Sequence, residues 1–256
     1  MRIFDMHCHL DFADDAQRAA REAAARGIGC FSVTVTPQDY EAAVCELEPC
    51  ENVRVGLGLH PWWVADGLCG EDDIALFERL AASTAFIGEV GLDFGARRSG
   101  TEDAQVVAFE RVLSACAAGG KVLSVHAVKA EDAVLDLLER HALPEGNACI
   151  LHWFSGSSDQ LQRAVALGCF FSVGPRMVAS KRGREYAKAI PLDRLLLETD
   201  APPQPGSAIP YGEIETLLVS ALEAVELLRG EGAAARIAQT SERLLGGRIE
   251  GRLGAV

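Results

Sequence analysis

Two histidines separated by one residue follow a short apolar stretch at the start of the 256-residue chain. In a β-strand, side chains two positions apart point to the same face, so His7 and His9 are able to bind one metal ion together. Two polar residues where a strand meets a loop give the same pattern. The pair indicates a metal site only if other segments bring ligands to the same face.

Three more histidines each end or follow an apolar, β-branched segment: His60, His126 and His152. Two carboxylates, Glu89 and Asp200, lie in otherwise apolar segments without a basic residue. A buried carboxylate is costly unless a cation or hydrogen bonds satisfy it, and a cation explains both acids.

Together these side chains exceed the needs of one tetrahedral zinc site and fit two divalent ions that share the Glu89 carboxylate. The predicted ligands are His7, His9, Glu89, His126, His152 and Asp200.

The elements that position these residues alternate along the whole chain. Strands are predicted at 3–8, 29–35, 53–59, 85–91, 122–126, 148–152, 169–173 and 195–199. Helices are predicted near 15–26, 38–47, 72–82, 103–118, 130–141, 158–167, 182–190, 213–229 and 232–245. Eight βα units predict an α/β fold, a closed (β/α)8 or TIM barrel, with residues 1–256 in a single domain. A doubly wound open sheet is the alternative, but it usually carries a glycine-rich phosphate loop after its first strand.

Composition narrows the class of protein. A hydrophobic fraction of 49% excludes a disordered chain, and no apolar run is long enough to cross a membrane or serve as a signal peptide. We therefore expect a cytoplasmic monomer with no obligate protein partner. The eight cysteines lack Cys-x-x-Cys spacing and are expected to be reduced. The net charge of −13 argues against a broad basic surface for long nucleic acid, although bound cations can attract phosphates locally.

Candidate substrate contacts lie in two predicted loops. The stretch 175–184, with Arg176 and Lys181, is the most basic in the chain, and a solvated helix start explains it equally well. Trp62 and Trp63 follow His60, where they either stack on a base or pack as a lid.

Five motifs in order resemble the TatD family of metal-dependent hydrolases over residues 3 to about 202. They are Asp5–Leu10, Gly58–Pro61, Ile87–Asp93, His152–Gly156 and Leu197–Pro202. The resemblance implies a TIM-barrel, amidohydrolase-like enzyme and a divalent-metal DNase activity. It assigns His7, His9, Glu89 and Asp200 to one ion and Glu89, His126 and His152 to the second. It also implies that His60 is a pocket histidine near the substrate phosphate.

The chain departs from the family pattern on the substrate side. Val128 stands where members usually have an arginine, Glu242 replaces an asparagine, and the loop after Asp200 is rewritten. Metal binding therefore carries over better than substrate preference.

These observations predict a hydrolase with two divalent ions, Mg²⁺, Mn²⁺ or Zn²⁺, that cleaves phosphodiester bonds in DNA or short oligonucleotides. A water activated by the ions attacks phosphorus, and Asp200 accepts its proton unless it is a ligand only. One alternative is a metal-dependent hydrolase of small amides, esters or lactones. A second is a metal-binding protein without catalysis.

Overall fold

Eight parallel strands form a single sheet in a computed structural model that describes residues 2–207 and 211–246. The strands are β1 (Ile3–Cys8), β2 (Ile28–Val33), β3 (Val53–Leu59), β4 (Phe86–Asp93), β5 (Val122–Val128), β6 (Ala148–His152), β7 (Phe170–Val173) and β8 (Leu195–Leu197). Neighbours in the sheet are neighbours in the chain, from β1 to β8. This order confirms the predicted (β/α)8 barrel.

Helices connect successive strands, as parallel pairing requires. They are α1 (Ala16–Ala25), α2 (Pro37–Leu47), α3 (Pro61–Ala65), α4 (Glu71–Ala81), α5 (Glu102–Ala115), α6 (Glu131–Arg140), α7 (Ser158–Leu167), α8 (Pro175–Ala179), α9 (Lys181–Ala189), α10 (Tyr211–Arg229) and α11 (Ala233–Leu245). Local chemistry sets their ends. In α7, Ser157 and Gln160 form a capping box, and Gly168 ends the helix at a φ of 92° that favours glycine. Among the described residues, no helix has the length and apolar character of a membrane span.

The first and last strands are joined by backbone and side-chain hydrogen bonds. Asp200 N donates to His7 O at 2.9 Å, and His9 N donates to Ala201 O at 2.9 Å. The buried Asp5 carboxylate accepts from Thr199 N at 3.0 Å and from Thr199 Oγ1 at 2.5 Å. These bonds bring the segment after β8 beside β1 and complete the ring.

Burial on both faces makes the strands apolar along their length. Large strand side chains such as Phe31, Leu123 and Phe171 are fully buried. A second apolar cluster packs Leu244 of α11 against strand residues that include Phe31 and Leu196. Packing of this kind holds the helices against the strands.

Several predicted boundaries were wrong by a few residues, for identifiable reasons. Strand β8 ends at Leu197 and not at residue 199, because Thr199 N bonds the Asp5 side chain and not a neighbouring strand. Strand β4 continues to Asp93, beyond the predicted end at residue 91. The predicted loops after β3 and β7 contain the short helices α3 and α8, each with proline in its first turn. Part of the rewritten loop, 208–210, lies outside the described residues.

Candidate metal centre

The first candidate ion position lies among four side chains from β1, β4 and the end of β8. His7 Nε2 and His9 Nε2 are each 3.5 Å from Glu89 Oε2 and 3.5 Å from Asp200 Oδ1. Ligand atoms about 2.1 Å from a tetrahedral ion are separated by about 3.4 Å, so these spacings fit one ion. Among the described residues, His7 Nε2 is buried without a hydrogen-bond partner. The set of two imidazoles and two carboxylates therefore fits a divalent cation.

The second candidate position lies on the other oxygen of the same carboxylate. Glu89 Oε1 is 2.7 Å from His126 Nδ1 and 2.8 Å from His152 Nε2, and those two nitrogens are 3.3 Å apart. Glu89 thus presents one oxygen to each histidine pair. A bridging carboxylate between two cation positions has this arrangement.

The charges in the cluster suit cation binding. Burial raises the pKa of Glu89, but interactions with the surrounding histidines outweigh burial and hold that pKa well below its usual range. Burial likewise raises the pKa of Asp200, but the neighbouring imidazole nitrogens of His7 and His9 lower that pKa well below its usual range. Both carboxylates are therefore ionised, and His7 and His9 supply the positive charge in the absence of an ion.

His60 contacts Glu89 as well, but its hydrogen bonding makes it a poor metal ligand. His60 Nδ1 accepts the backbone N–H of Trp62 at 3.1 Å, so in the neutral ring the proton is on Nε2. That nitrogen lies 3.3 Å from Glu89 Oε1 and acts as a donor. Burial lowers the pKa of His60, which keeps the ring neutral at pH 7. Although His60, Glu89 and His126 are close enough to hold an ion, this tautomer makes His60 Nε2–H a hydrogen-bond donor.

Polar residues outside the predicted ligand set fix the orientation of the ligands. His7 Nδ1 lies 2.7 Å from Ser124 Oγ, and His126 Nε2 lies 3.2 Å from Asp93 Oδ2. Burial raises the pKa of Asp93, but hydrogen bonds with His126 and Trp62 hold it well below its usual range. Sequence reasoning assigned no role to Ser124 or Asp93. The sequence did contain a signal for both. Ser124 shares a strand with His126, and Asp93 shares a strand with Glu89, each at an even spacing that places the two side chains on one face.

Glu198 is a second acid that the sequence analysis left without a role. It is fully buried, accepts Trp153 N at 3.0 Å and Ser172 Oγ at 2.5 Å, and lies 3.8 Å from His152 Nδ1. Burial raises the pKa of Glu198 to about 8, against the opposing charge of His7 and the Ser172 hydrogen bond. It holds the turn after β6 in place.

Three residues that follow strand ends have a left-handed backbone although none is glycine: Lys129, Trp153 and Asp200, with φ of 56°, 43° and 55°. Such conformations cost about 1–3 kcal/mol each and cluster at functional sites. At Asp200 the backbone is held by the bond from its N–H to His7 O. This turn directs the carboxylate toward the histidines.

A cavity of about 800 Å³ opens above the cluster. Its walls include aromatic residues from several loops: Phe12, Trp62, Trp63 and Trp153. Pro203, Gln204 and Pro205 line the side formed by the rewritten loop. Asp200, whose side chain is 30% exposed, is the ligand most open to this space. Substrate can therefore reach the ligands from the face where the strands end.

The basic stretch contributes one charged side chain to the cavity wall. Arg176 lines it, whereas exposed Lys181 is not among the lining residues. Arg182 donates to Ser155 O at 2.8 Å, and Arg184 donates to Ala179 O at 2.7 Å. Those two guanidinium groups are used to hold the loops together. The structure thus separates Lys181 from the other predicted substrate contacts.

Comparison with known proteins agrees with this geometry. The model of the TatD related DNase family matches residues 4–233. The uncharacterised metal-dependent hydrolase YjjV of Escherichia coli strain K12 is 32% identical over 216 residues, which cover 80% of this chain and 81% of that protein. The 3'-5' ssDNA/RNA exonuclease TatD of Edwardsiella piscicida is 37% identical over 202 residues, 75% of each chain. The crystal structure of YjjV aligns with a TM-score of 0.80 and 25% identity, and covers 95% of this chain and 97% of that one.

Proposed function

Because the chain belongs to the TatD related DNase family, we propose that it cleaves phosphodiester bonds in single-stranded DNA or short oligonucleotides with the help of two divalent ions. The chain is a metal-dependent hydrolase of that family. One observation carries the proposal of two ions: the Glu89 carboxylate faces a histidine pair with each of its oxygens.

The proposed ligand sets follow from these contacts. His7, His9, Glu89 Oε2 and Asp200 Oδ1 would hold one ion, and Glu89 Oε1, His126 Nδ1 and His152 Nε2 the other. Bound there, two divalent ions would lower the pKa of a water molecule and stabilise the attacking and leaving oxygens. Imidazole-rich ligation suits Zn²⁺ or Mn²⁺, and carboxylates suit Mg²⁺ or Mn²⁺.

Protein side chains supply the remaining chemistry. The Asp200 carboxylate, exposed to the cavity, accepts the proton of the attacking water. With an ion bound to Glu89 Oε1, His60 Nε2–H would be available to donate a hydrogen bond to a phosphate oxygen, since its other nitrogen accepts Trp62 N. Arg176 provides a positive charge on the cavity wall. Trp62 stacks on a base, because its ring borders the cavity and retains 38% exposure.

A second candidate is a hydrolase of small esters or lactones. Two observations favour it: tryptophan and proline side chains form part of the cavity wall, and among the described residues Arg176 is the one arginine or lysine that lines it. A small uncharged substrate needs no more positive charge than this.

That the protein is a monomer located in the cytoplasm stays a prediction.

The deciding experiment loads metal-stripped protein with Mg²⁺, Mn²⁺ or Zn²⁺ and compares two substrate panels. We expect release of nucleotides from single-stranded oligonucleotides with at least one metal. The double variant His7→Ala/His9→Ala, purified in the same way, controls for contaminating nucleases and should be inactive. Turnover of esters or lactones alone would overturn the nuclease proposal, and no turnover by the loaded protein would favour a metal-binding role.

A further inference from the structure

Asp93 connects a proposed metal ligand with a wall of the substrate cavity. It is the last residue of β4 and is 5% exposed. Its backbone is clamped by Gln105, whose Oε1 accepts Asp93 N at 2.8 Å and whose Nε2 donates to Asp93 O at 2.9 Å. These two bonds fix the Asp93 backbone independently of the contacts that its carboxylate makes in the site.

Both carboxylate oxygens of Asp93 act as acceptors. Oδ1 accepts Gly95 N at 2.7 Å, and Oδ2 accepts Trp62 Nε1 at 2.5 Å. An indole N–H can only donate, so Oδ2 carries no proton at this contact. His126 Nε2, 3.2 Å from the same oxygen, must then carry a proton and donate to it. This leaves His126 Nδ1 facing Glu89 Oε1, in the orientation that ligation requires.

The second contact of Asp93 restrains the cavity wall. Trp62 is partly exposed, and its indole N–H bond to Asp93 limits rotation of the ring. The Arg98 guanidinium lies 4.5 Å from the ring centroid on one face and pairs with Asp66 at 3.1 Å. The ring is thus fixed from its edge and covered on one face, and it is presented to the cavity in one position.

We propose that Asp93 is a positioning residue that couples the second metal position to the substrate cavity, by fixing His126 and Trp62 through one carboxylate oxygen. This inference rests on the proposed two-ion centre but is independent of which substrate is cleaved. It predicts different effects for loss of the contact with His126 and loss of the contact with Trp62. Loss of the Asp93 carboxylate weakens binding of the second ion and also removes a restraint on the cavity wall. Loss of the Trp62 indole N–H removes only the restraint on the cavity wall.

The test compares Asp93→Ala, Asp93→Asn and Trp62→Phe by Mn²⁺ titration calorimetry and steady-state kinetics on a single-stranded oligonucleotide. In Asp93→Ala the second Mn²⁺ should bind about 10- to 100-fold more weakly, with the first nearly unchanged. Asp93→Asn, which keeps one acceptor, should fall between Asp93→Ala and the native protein. Trp62→Phe should keep both Mn²⁺ affinities and raise KM more than it lowers kcat.

A direct readout does not depend on activity. In the metal-free protein, the ¹⁵N chemical shift of His126 Nε2 should report a protonated nitrogen hydrogen-bonded to a carboxylate, and Asp93→Ala should shift that resonance. If Asp93→Ala does not fold, Gly95→Ala serves instead, because its Cβ would come within 2.7 Å of Asp93 Oδ1 and displace the carboxylate without removing it. The matched control is Asp73→Asn, which removes a helix-capping carboxylate at Gly70 away from the cavity.

The outcomes separate the two proposals. Native Mn²⁺ affinities and an unchanged His126 ring in Asp93→Ala would overturn the positioning role, as would equal losses in Asp73→Asn. If the native protein binds a single Mn²⁺ or cleaves no oligonucleotide, the proposed function fails, and the ¹⁵N measurement still decides whether Asp93 holds the Nε2–H group of His126.

Discussion

The Oδ1 atom of Asp200, which follows the last strand of the barrel, lies 3.5 Å from Nε2 of His7 in the first strand. Two hydrogen-bonded connections, Asp200 N to His7 O and Thr199 N to Asp5, maintain this approach. The first candidate ion position therefore exists only when the barrel is closed. Ion binding and closure of the barrel are expected to stabilise each other.

Replacing Asp200 with asparagine distinguishes a proton acceptor from a ligand alone. We expect Asp200→Asn to lose about 10²- to 10⁴-fold in kcat even when metal is saturating, because the amide cannot accept the proton. Metal content by atomic emission and kcat should be measured on the same samples. Recovery of native kcat at high metal concentration would show that Asp200 is only a ligand.

Metal loading should raise the thermal stability. An ion that binds the folded state alone at 100 times its Kd stabilises it by about 2.7 kcal/mol, which corresponds to roughly 5–10 °C in Tm for a chain of this size. Thermal scans with EDTA and with excess Mn²⁺ measure the shift. His9→Ala should lose most of the shift, while His141→Ala, at the end of α6, should retain it. An equal shift in His9→Ala would contradict binding at this position.

Metal affinity should increase with pH between 6 and 9. Burial lowers the pKa of His9, but hydrogen bonds to Asp200 and Glu89 raise it to about 9, and bonds to Asp93 and Glu89 do the same for His126. Protons therefore compete with the ion below pH 9, and the apparent Kd should fall about tenfold per pH unit for each proton displaced.

The stability of the metal-free protein should change in the opposite direction. A raised histidine pKa stabilises the folded state fully below the unfolded value of about 6.5, and this contribution is lost as the pH rises toward 9. The Tm difference between loaded and metal-free protein should thus widen with pH. Calorimetric titrations and thermal scans at pH 6, 7, 8 and 9 test both trends, and a flat Kd would contradict displacement of protons.

Arg176 and Lys181 should differ in their effect on substrate binding. Arg176→Ala is expected to raise KM for an oligonucleotide several-fold and to reduce its dependence on salt, because one phosphate-facing charge is lost. Lys181→Ala should change KM less, since Lys181 does not line the cavity. Lys188→Ala, an exposed lysine paired with Glu185, controls for net charge. A larger effect at Lys181 than at Arg176 would show that substrate runs outside the cavity.

Much of the architecture was predictable because local patterns repeat. Alternating β-branched and helical segments predicted eight strands, and His7 and His9 share a face through the period of a strand. The ends of elements were less predictable. Strand β8 stops early because the Asp5 side chain takes the Thr199 N–H, a contact between distant segments that no local pattern encodes.

The role of each side chain around the site depended on tertiary contacts. From sequence, Asp93 and Ser124 resemble any polar residues in strands, and their function appears only when His126 and His7 are found beside them. The basic stretch shows the same dependence. Arg182 and Arg184 are bonded to carbonyl groups, and Arg176 is the charged residue of that stretch that lines the cavity.

By itself, the sequence determined the fold class and the set of candidate ligands through residue type and spacing along single strands, and it indicated the family through the resemblance of five motifs. Only the tertiary structure decided which oxygen of Glu89 faces which histidines and which nitrogen of His60 carries the proton. It also decided which positively charged side chain of the basic stretch lines the cavity. Those properties are distances between atoms of different strands and loops. They are set by closure of the barrel and by packing, and no single segment of the chain determines them.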